Sequence, residues 1–205
     1  MTLMEELMKR IRFQLCGQFS EPVRITDDKT GDVSRFVRIE GFGKMYNFRV
    51  DTDEELDSYP TTGWVRAGGV IVRRSKSASA SPRISELLIP GKPGWKQPTE
   101  EEFLGGCRFG GWGMVAQKKS GEYRGHSFCN LQLNVVGDTL LFRNVSEELF
   151  ARLPESGGIY VNGFLETLLQ NDSSGQTVCD SIFSLQNFKL WEPEKSAAEP
   201  KRSAA

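Results

Sequence analysis

The side chains in this chain that could do chemistry are planar rings and cations rather than nucleophiles. In the first half, Arg35, Phe36, Arg38, Tyr46, Phe48, Trp64 and Arg66 fall on predicted strands, and Arg73, Arg74 and Arg83 flank, and Lys76 lies within, a Ser/Ala-rich stretch from Ser75 to Ser81. In the second half, Trp112, Tyr123, Arg124, Phe128 and Tyr160 are the comparable residues, with Lys118, Lys119 and Arg143 nearby. Rings can stack on flat bases and cations can pair with phosphates, a combination that suits a single nucleic-acid strand held without sequence preference. Each member has a structural reading beside this one. An aromatic that recurs in both halves, as Phe48 and Phe142 do, suits a core; Arg73, Arg74 and Lys76 suit a solvated loop. Phe36 is out of phase with Val37 and Ile39, so its pattern serves contact and core equally. The first-half cluster is the richer in basic and aromatic residues, which makes the first half the expected better binder.

Covalent chemistry has little to work with. The lone histidine, His126, stands near Ser127 and Cys129 in a spacing that defines no catalytic triad. Gly105-Gly106 and Gly110-Gly111 precede or enter a strand instead of opening a helix, so no phosphate-binding loop of the nucleotide type is expected. Cys16, Cys107, Cys129 and Cys179 include no C-x-x-C pair, and the expectation is reduced, packed thiols with no metal and no cofactor. A non-enzymatic protein follows. No apolar run approaches the ~18 residues of a membrane-spanning helix, and Met1 to Arg10, with Glu5 and Glu6, reads as a short amphipathic helix rather than a secretory signal. A cytoplasmic location is the resulting expectation. Residues 1–94 carry 15 basic and 13 acidic side chains and the remainder 11 and 14, so bulk charge does not single out a partner.

The elements that must position these residues are mostly strands. Phe13, Leu15 and Gly17 alternate from Arg12; residues 20–34 are rich in turn formers; Arg35 to Glu40 alternates, and Met45 to Val50 follows as the second arm of a hairpin. Acidic residues after Asp51 or Thr52 predict a short capped helix that Pro60 ends. Trp64 to Arg74 and Arg83 to Ile89 are further strands. Pro90 to Pro98 is a Pro/Gly linker, after which Thr99 can cap one helical turn. The second half repeats the order: strands over Phe109–Gln117, Ser127–Val136 and Asp138–Val145, a helix after Ser146 ended by Pro154, then strands over Ile159–Leu169 and within Val178–Leu190.

The two halves align at an offset of 94 residues. Gly17, Gly31, Gly43, Phe48, Arg49, Glu54, Pro60, Gly63 and Gly69 match Gly111, Gly125, Gly137, Phe142, Arg143, Glu148, Pro154, Gly157 and Gly163, with no gap from the first strand to the fourth. Repetition of turn and breaker residues predicts two copies of one domain. Three strands, a short helix and two strands is the order of an OB-fold, a five-stranded Greek-key barrel. The chain is therefore expected to be all-β with short helices: a helix or tail over 1–10, a first OB-fold over 11–90, a linker over 91–104, a second OB-fold over 105–192 and a disordered tail over 193–205.

The stretch from Leu153-Pro154-Glu155-Ser156-Gly157-Gly158-Ile159-Tyr160-Val161-Asn162-Gly163 to Thr167, with the polar Gly175-Gln176 turn, resembles the fourth- and fifth-strand hairpin of bacterial single-stranded-DNA-binding proteins. Gly111 to Val115 and Phe128 to Val136 match that family's first two strands. The resemblance covers residues 107–191 directly and 13–90 through the repeat, and is similar to the double-barrel members. It implies single-stranded DNA as partner, with RNA as the alternative, roles in replication and repair, and a homo-oligomer such as a dimer. The end Glu199-Pro200-Lys201-Arg202-Ser203-Ala204-Ala205 differs from the family's acidic tail with terminal Pro-Phe, so recruitment of repair partners through such a tail is not among the expectations. A protein-interaction or self-assembly module on the same fold is the competing expectation.

Overall fold

The structure is a computed structural model and describes residues 10–27, 30–73, 80–136, 138–171 and 177–192. The expected N-terminal helix, the C-terminal tail, the loop after Asn171 and most of the Ser/Ala-rich stretch lie outside the described residues. The first five strands are β1 (Arg12–Thr26), β2 (Val33–Gly41), β3 (Lys44–Val50), β4 (Trp64–Arg73) and β5 (Ala80–Leu88). The next five are β6 (Arg108–Tyr123), β7 (His126–Val135), β8 (Asp138–Phe142), β9 (Gly157–Asn171) and β10 (Thr177–Leu190). Between them lie the short helices α1 (Asp53–Asp57), α2 (Glu100–Leu104) and α3 (Glu147–Arg152). In each half the first strand pairs with the second and fourth, the second with the third and the fourth with the fifth, all antiparallel. The protein is all-β, with two OB barrels in tandem.

Local chemistry accounts for the elements. Phe13, Leu15 and Phe19 point inward from β1, and Val37, Ile39, Phe48, Val65 and Ala67 complete the first core. The second core repeats this with Phe109, Leu131, Leu133, Phe142, Ile159 and Val161. Thr52 caps α1 by accepting from the Glu55 N–H at 3.0 Å, and Ser146 caps α3 by accepting from the Leu149 N–H at 3.4 Å. Leu56 and Leu149 on these helices join the apolar core. Gly69 and Gly163 are held by close approach: a Cβ at either would lie 2.0 Å from a carbonyl oxygen of the next strand, Arg83 or Ser184 respectively. Both strand pairs also carry the same bulge, with Ser85 and Gln186 omitted from the ladders.

Three sequence expectations need correction. First, β1 does not end near Ser20. It runs to Thr26 through a bulge between Ser20 and Val23, where the missing N–H of Pro22 costs no ladder bond. Second, β6 likewise continues past Gln117 to Tyr123. Third, the repeat does carry a gap. Ladder registers superpose β2, β3 and β4 on β7, β8 and β9 at 94, but β1 on β6 at 96. Gly17 therefore corresponds to Gly113, not Gly111. The two residues are recovered in the hairpin turn: four positions separate Asp27 from Asp32, where the Asp27 N–H still donates to the Asp32 carbonyl at 2.8 Å, whereas Arg124 and Gly125 alone, at φ 52° and 78°, connect β6 to β7.

With that register, the seam between the barrels acquires a pseudo-twofold axis. β1 pairs with β6 through Arg12↔Gly110, Phe13↔Phe109 and Gln14↔Arg108. Phe13 and Phe109 are repeat equivalents, so the axis passes through their pair. Phe13 stacks on Phe48 at 5.2 Å, and Phe109 packs on the equivalent Phe142 at 5.7 Å.

The rest of the seam is less symmetric. The β9–β10 hairpin lies against the outer edge of β3. The Asn47 N–H donates to Thr167 Oγ1 at 2.6 Å, the Cys179 thiol approaches the Asn47 carbonyl at 3.7 Å, and Lys44 pairs with Glu166. Asn47 and Thr167 are both buried. Thr167→Val keeps the shape and leaves the Asn47 amide without its acceptor, so it should cost about 1–3 kcal/mol in chemical denaturation. A midpoint unchanged from that of the parent would remove this bond from the account of the seam.

Candidate nucleic-acid interface

One continuous outer face crosses the seam on β10, β9, β6, β1, β4 and β5. Ladder partners set its rows, because residues directly opposite in a sheet share a face. Lys189, Tyr160 and Trp112 form one row; Asn187, Asn162, Gly110 and Arg12 form the next; Phe164, Arg108, Gln14, Gly68 and Glu86 follow; then come Cys16, Arg66 and Leu88.

On the second barrel this face carries a strip of three half-buried rings. Trp112 packs edge to face on Tyr160 at 5.5 Å and on Trp191 at 5.2 Å. The Trp191 N–H donates to the Gly158 carbonyl at 3.0 Å, which fixes the chain end of the strip. The Tyr160 ring leans over Gly110, where a Cβ would lie 2.5 Å from its hydroxyl oxygen. A hollow of about 360 Å3 opens beside the strip, lined by Arg10, Arg12, Gln14, Arg108, Trp112 and Tyr160 among others. Arg12 also pairs with Glu86, and Arg108 donates to the Gly105 carbonyl at 3.3 Å with its guanidinium 6.0 Å from the Phe164 ring centre. Rings and guanidinium groups thus converge on one groove.

On the first barrel the same face is covered. The segment after β5 folds back, and Glu102 on α2 takes the Arg66 guanidinium between both carboxylate oxygens at 2.6 and 2.7 Å. Arg66 also donates to the Lys96 carbonyl at 3.1 Å, and Trp64 meets Phe103 edge to face at 5.4 Å. Thr99 and Glu102 form a capping box. Arg66 and Thr99 together push the Glu102 pKa down to about 2. A carboxyl lowered in this way makes its full contribution above its ordinary value of 4.5 and loses it as the pH falls through about 2. The clamp is therefore unchanged by pH between 5 and 8.

Several other sequence candidates are placed away from any such groove. Phe36, Tyr46 and Phe48 are buried, at 1%, 3% and 0% exposure, and are corrections to the expected contact set. Phe48 stacks inside the barrel, and the Tyr46 hydroxyl accepts from the Cys107 N–H at 3.3 Å. Arg35 donates to Asp53 at 2.6 Å and to the Val33 carbonyl at 2.9 Å, so it serves α1. Arg83 pairs with Asp51 at 3.1 Å. Arg38 is half-buried, beside Asn47 in the ladder at the seam. Arg73 ends β4; its side chain, with Arg74 and Lys76, falls outside the described residues. Among the described residues, acids or core packing occupy most of the first-half cluster.

Tyr123, Arg124 and Phe128 come together on the β6–β7 hairpin, away from the strip. Tyr123 is 65% exposed with the Arg124 guanidinium 5.2 Å from its ring centre, and Phe128 lies against Gly121. Lys118 is drawn to the Leu153 carbonyl at 2.8 Å and Glu155 at 2.7 Å.

Arg10, Arg12, Arg108, Lys189 and Trp191 are additions that the candidate list lacks. A signal for two of them does exist: Arg12-Phe13-x-x-x-Gly17 recurs as Arg108-Phe109-x-x-x-Gly113, visible only at an offset of 96. Two of the thiols, Cys107 and Cys179, are inert by position. Burial alone raises Cys107 far above the ordinary thiol range, and burial with Asp180 nearby pushes Cys179 up to about 12. Among the described residues no cluster of His, Cys, Asp and Glu has the makings of a metal site, and no helix is long and apolar enough to cross a membrane.

No family model matches the chain, and no curated protein matches it by sequence. Solved structures do. The chain is similar to the wild-type single-stranded DNA binding protein from Thermus aquaticus, with 13% identity and a TM-score of 0.52, over 95% of this chain and 98% of that one. It is similar also to a deletion mutant of that protein, with 14% identity and a TM-score of 0.50, over 93% and 98%. At such identity the likeness shows the fold.

Proposed function

We propose that the protein binds single-stranded DNA without catalysis, on the outer face of the second barrel. The observation that carries this reading is the Trp112–Tyr160–Trp191 strip beside a groove lined by Arg10, Arg12 and Arg108. Partly exposed rings supply stacking, and guanidinium groups supply phosphate pairing, which is what a sequence-tolerant strand binder requires. The similarity in fold to a single-stranded DNA binding protein supports the same reading. RNA would meet the same rings and cations, so the preference between the two is read from competition.

Titration of labelled oligo-dT at low and moderate salt tests the proposal. Binding in the nanomolar to micromolar range that weakens as salt rises is the expected result, and competition by oligo-U reads how far RNA shares the site. Absence of binding at low salt overturns it. A second reading, self-association as a dimer, is favoured by Phe164, Leu168 and Ile182, which stay about two-fifths exposed on the outer face of β9 and β10. Light scattering of Leu168→Asp beside the parent separates the two: a lower mass for the variant alone supports association through this patch.

A further inference from the structure

We infer that the first barrel holds a second nucleic-acid subsite, built on Trp64 and Arg66, which the acidic segment from Lys96 to Leu104 covers until a strand displaces it. This rests on the reading of the second barrel as a strand binder.

The seam geometry supplies the first argument. The ladder pair Cys16↔Arg66 is the repeat equivalent of Trp112↔Tyr160, at offsets of 96 and 94. Arg66 therefore stands on the first barrel where Tyr160 of the aromatic strip stands on the second. Trp64, one row further along the same face, adds a ring to the cation.

The chemistry of the cover supplies the second. Glu102 meets Arg66 with two parallel charge-assisted bonds, at 2.6 and 2.7 Å, which is the fork a phosphate oxygen pair would take. Phe103 meets Trp64 edge to face, in the region where a base would stack. Carboxylate and ring thus stand in for phosphate and base, and Glu100 and Glu101 add charge of the same sign. The pKa of Glu102, near 2, keeps the stand-in ionised at neutral pH.

The third argument is that the cover is laid on loosely. α2 is five residues long and contributes no buried residue, and Leu104 is 48% exposed. A hollow of about 680 Å3 persists beneath it, lined by Gln14, Cys16, Arg66, Gly68, Leu88 and Arg108 among others. It shares Gln14 and Arg108 with the groove beside the aromatic strip, so a strand leaving that strip has a continuous path to Arg66. A phosphate returns equivalent bonds to Arg66 when Glu102 leaves, so the exchange need not forfeit the energy of the pair.

The test uses the whole chain with Glu102→Gln, oligo-dT of about 8 and about 30 nucleotides, and Cys16 as a reporter, since one OB-fold takes roughly 4–16 nucleotides. Glu102→Gln should bind the longer strand about fivefold more tightly and the shorter one unchanged, because only the longer strand reaches the first barrel. Adding Arg66→Ala should abolish that gain. Independently of DNA, alkylation of Cys16, followed by peptide mass mapping, should be faster in Glu102→Gln than in the parent, and slowed again by the longer strand. A parent and variant that bind both strands alike, with equal Cys16 alkylation, overturn the inference and leave the second-barrel reading standing. If neither protein binds either strand, both readings fall.

Discussion

Alanine at Phe109 should lower the stability of the whole chain by about 3–5 kcal/mol, the range for removing a well-packed aromatic side chain from a core. Phe109 is 4% exposed and packs on Phe142 at 5.7 Å and Phe183 at 5.5 Å. Its backbone also pairs with Phe13 at the centre of the β1–β6 ladder. Loss of the ring opens a cavity in the second barrel at the point where the first is attached. Urea unfolding followed by circular dichroism should show one transition moved to lower denaturant, with an unchanged slope. Phe13→Ala should behave similarly through its stack on Phe48, and the double variant should depart from additivity, because paired residues in one packed seam couple. Strict additivity would mean that the barrels share a ladder and little energy. A midpoint shift no larger than that of an exposed substitution would remove Phe109 from the core.

Alanine at Trp112 should cost about 1–3 kcal/mol of affinity for oligo-dT, the value of one stacked base, or roughly fivefold to 150-fold in Kd. Trp191→Ala should follow, and the pair should lose less than the sum because each ring props the other at 5.2 Å. Trp112→Phe, which keeps a flat face, should retain most of the affinity. The dependence on salt distinguishes the parts. Removing rings leaves the number of phosphate contacts unchanged, so the slope of affinity against salt should hold; Arg12→Ala with Arg108→Ala should reduce it. Trp112→Ala binding as tightly as the parent would remove the strip from the interface, whatever the rest of the chain binds.

Much of the fold is legible because it is local. Alternation of Val37 and Ile39, or of Leu131 and Leu133, announces strands, and Thr52 and Ser146 announce helix starts that the caps then show. Within the first four strands the offset of 94 failed on β1 and β6 alone, since hairpin length and strand start traded two residues, and a glycine match at Gly111 concealed the better one at Gly113.

The candidate site was less legible, for a reason that is not local. Arg35, Arg66 and Arg83 look available in sequence, but their partners Asp53, Glu102 and Asp51 come from other elements, and only the fold brings them together. Tyr46 and Phe48 lie among the residues of a strand buried on both sides, by its own core and by the β9–β10 hairpin, so alternation does not separate the faces. Trp112 and Tyr160 lie 48 positions apart and become neighbours through the β6–β9 ladder. Trp191, just past the last strand, has no periodicity to mark it.

The axis through Phe13 and Phe109 has a consequence for direction. A nucleic-acid strand has a 5′ and a 3′ end, whereas halves related by a twofold axis face opposite ways along any path across the seam. Two identical halves would offer such a strand the same contacts in either sense and give it no reason to prefer one. Here the copies share a chain and have drifted apart, with Trp112 opposite Cys16 and Tyr160 opposite Arg66 in the pseudo-symmetry. A symmetric seam carrying an asymmetric face can assign a sense of travel to whatever polar chain lies across it.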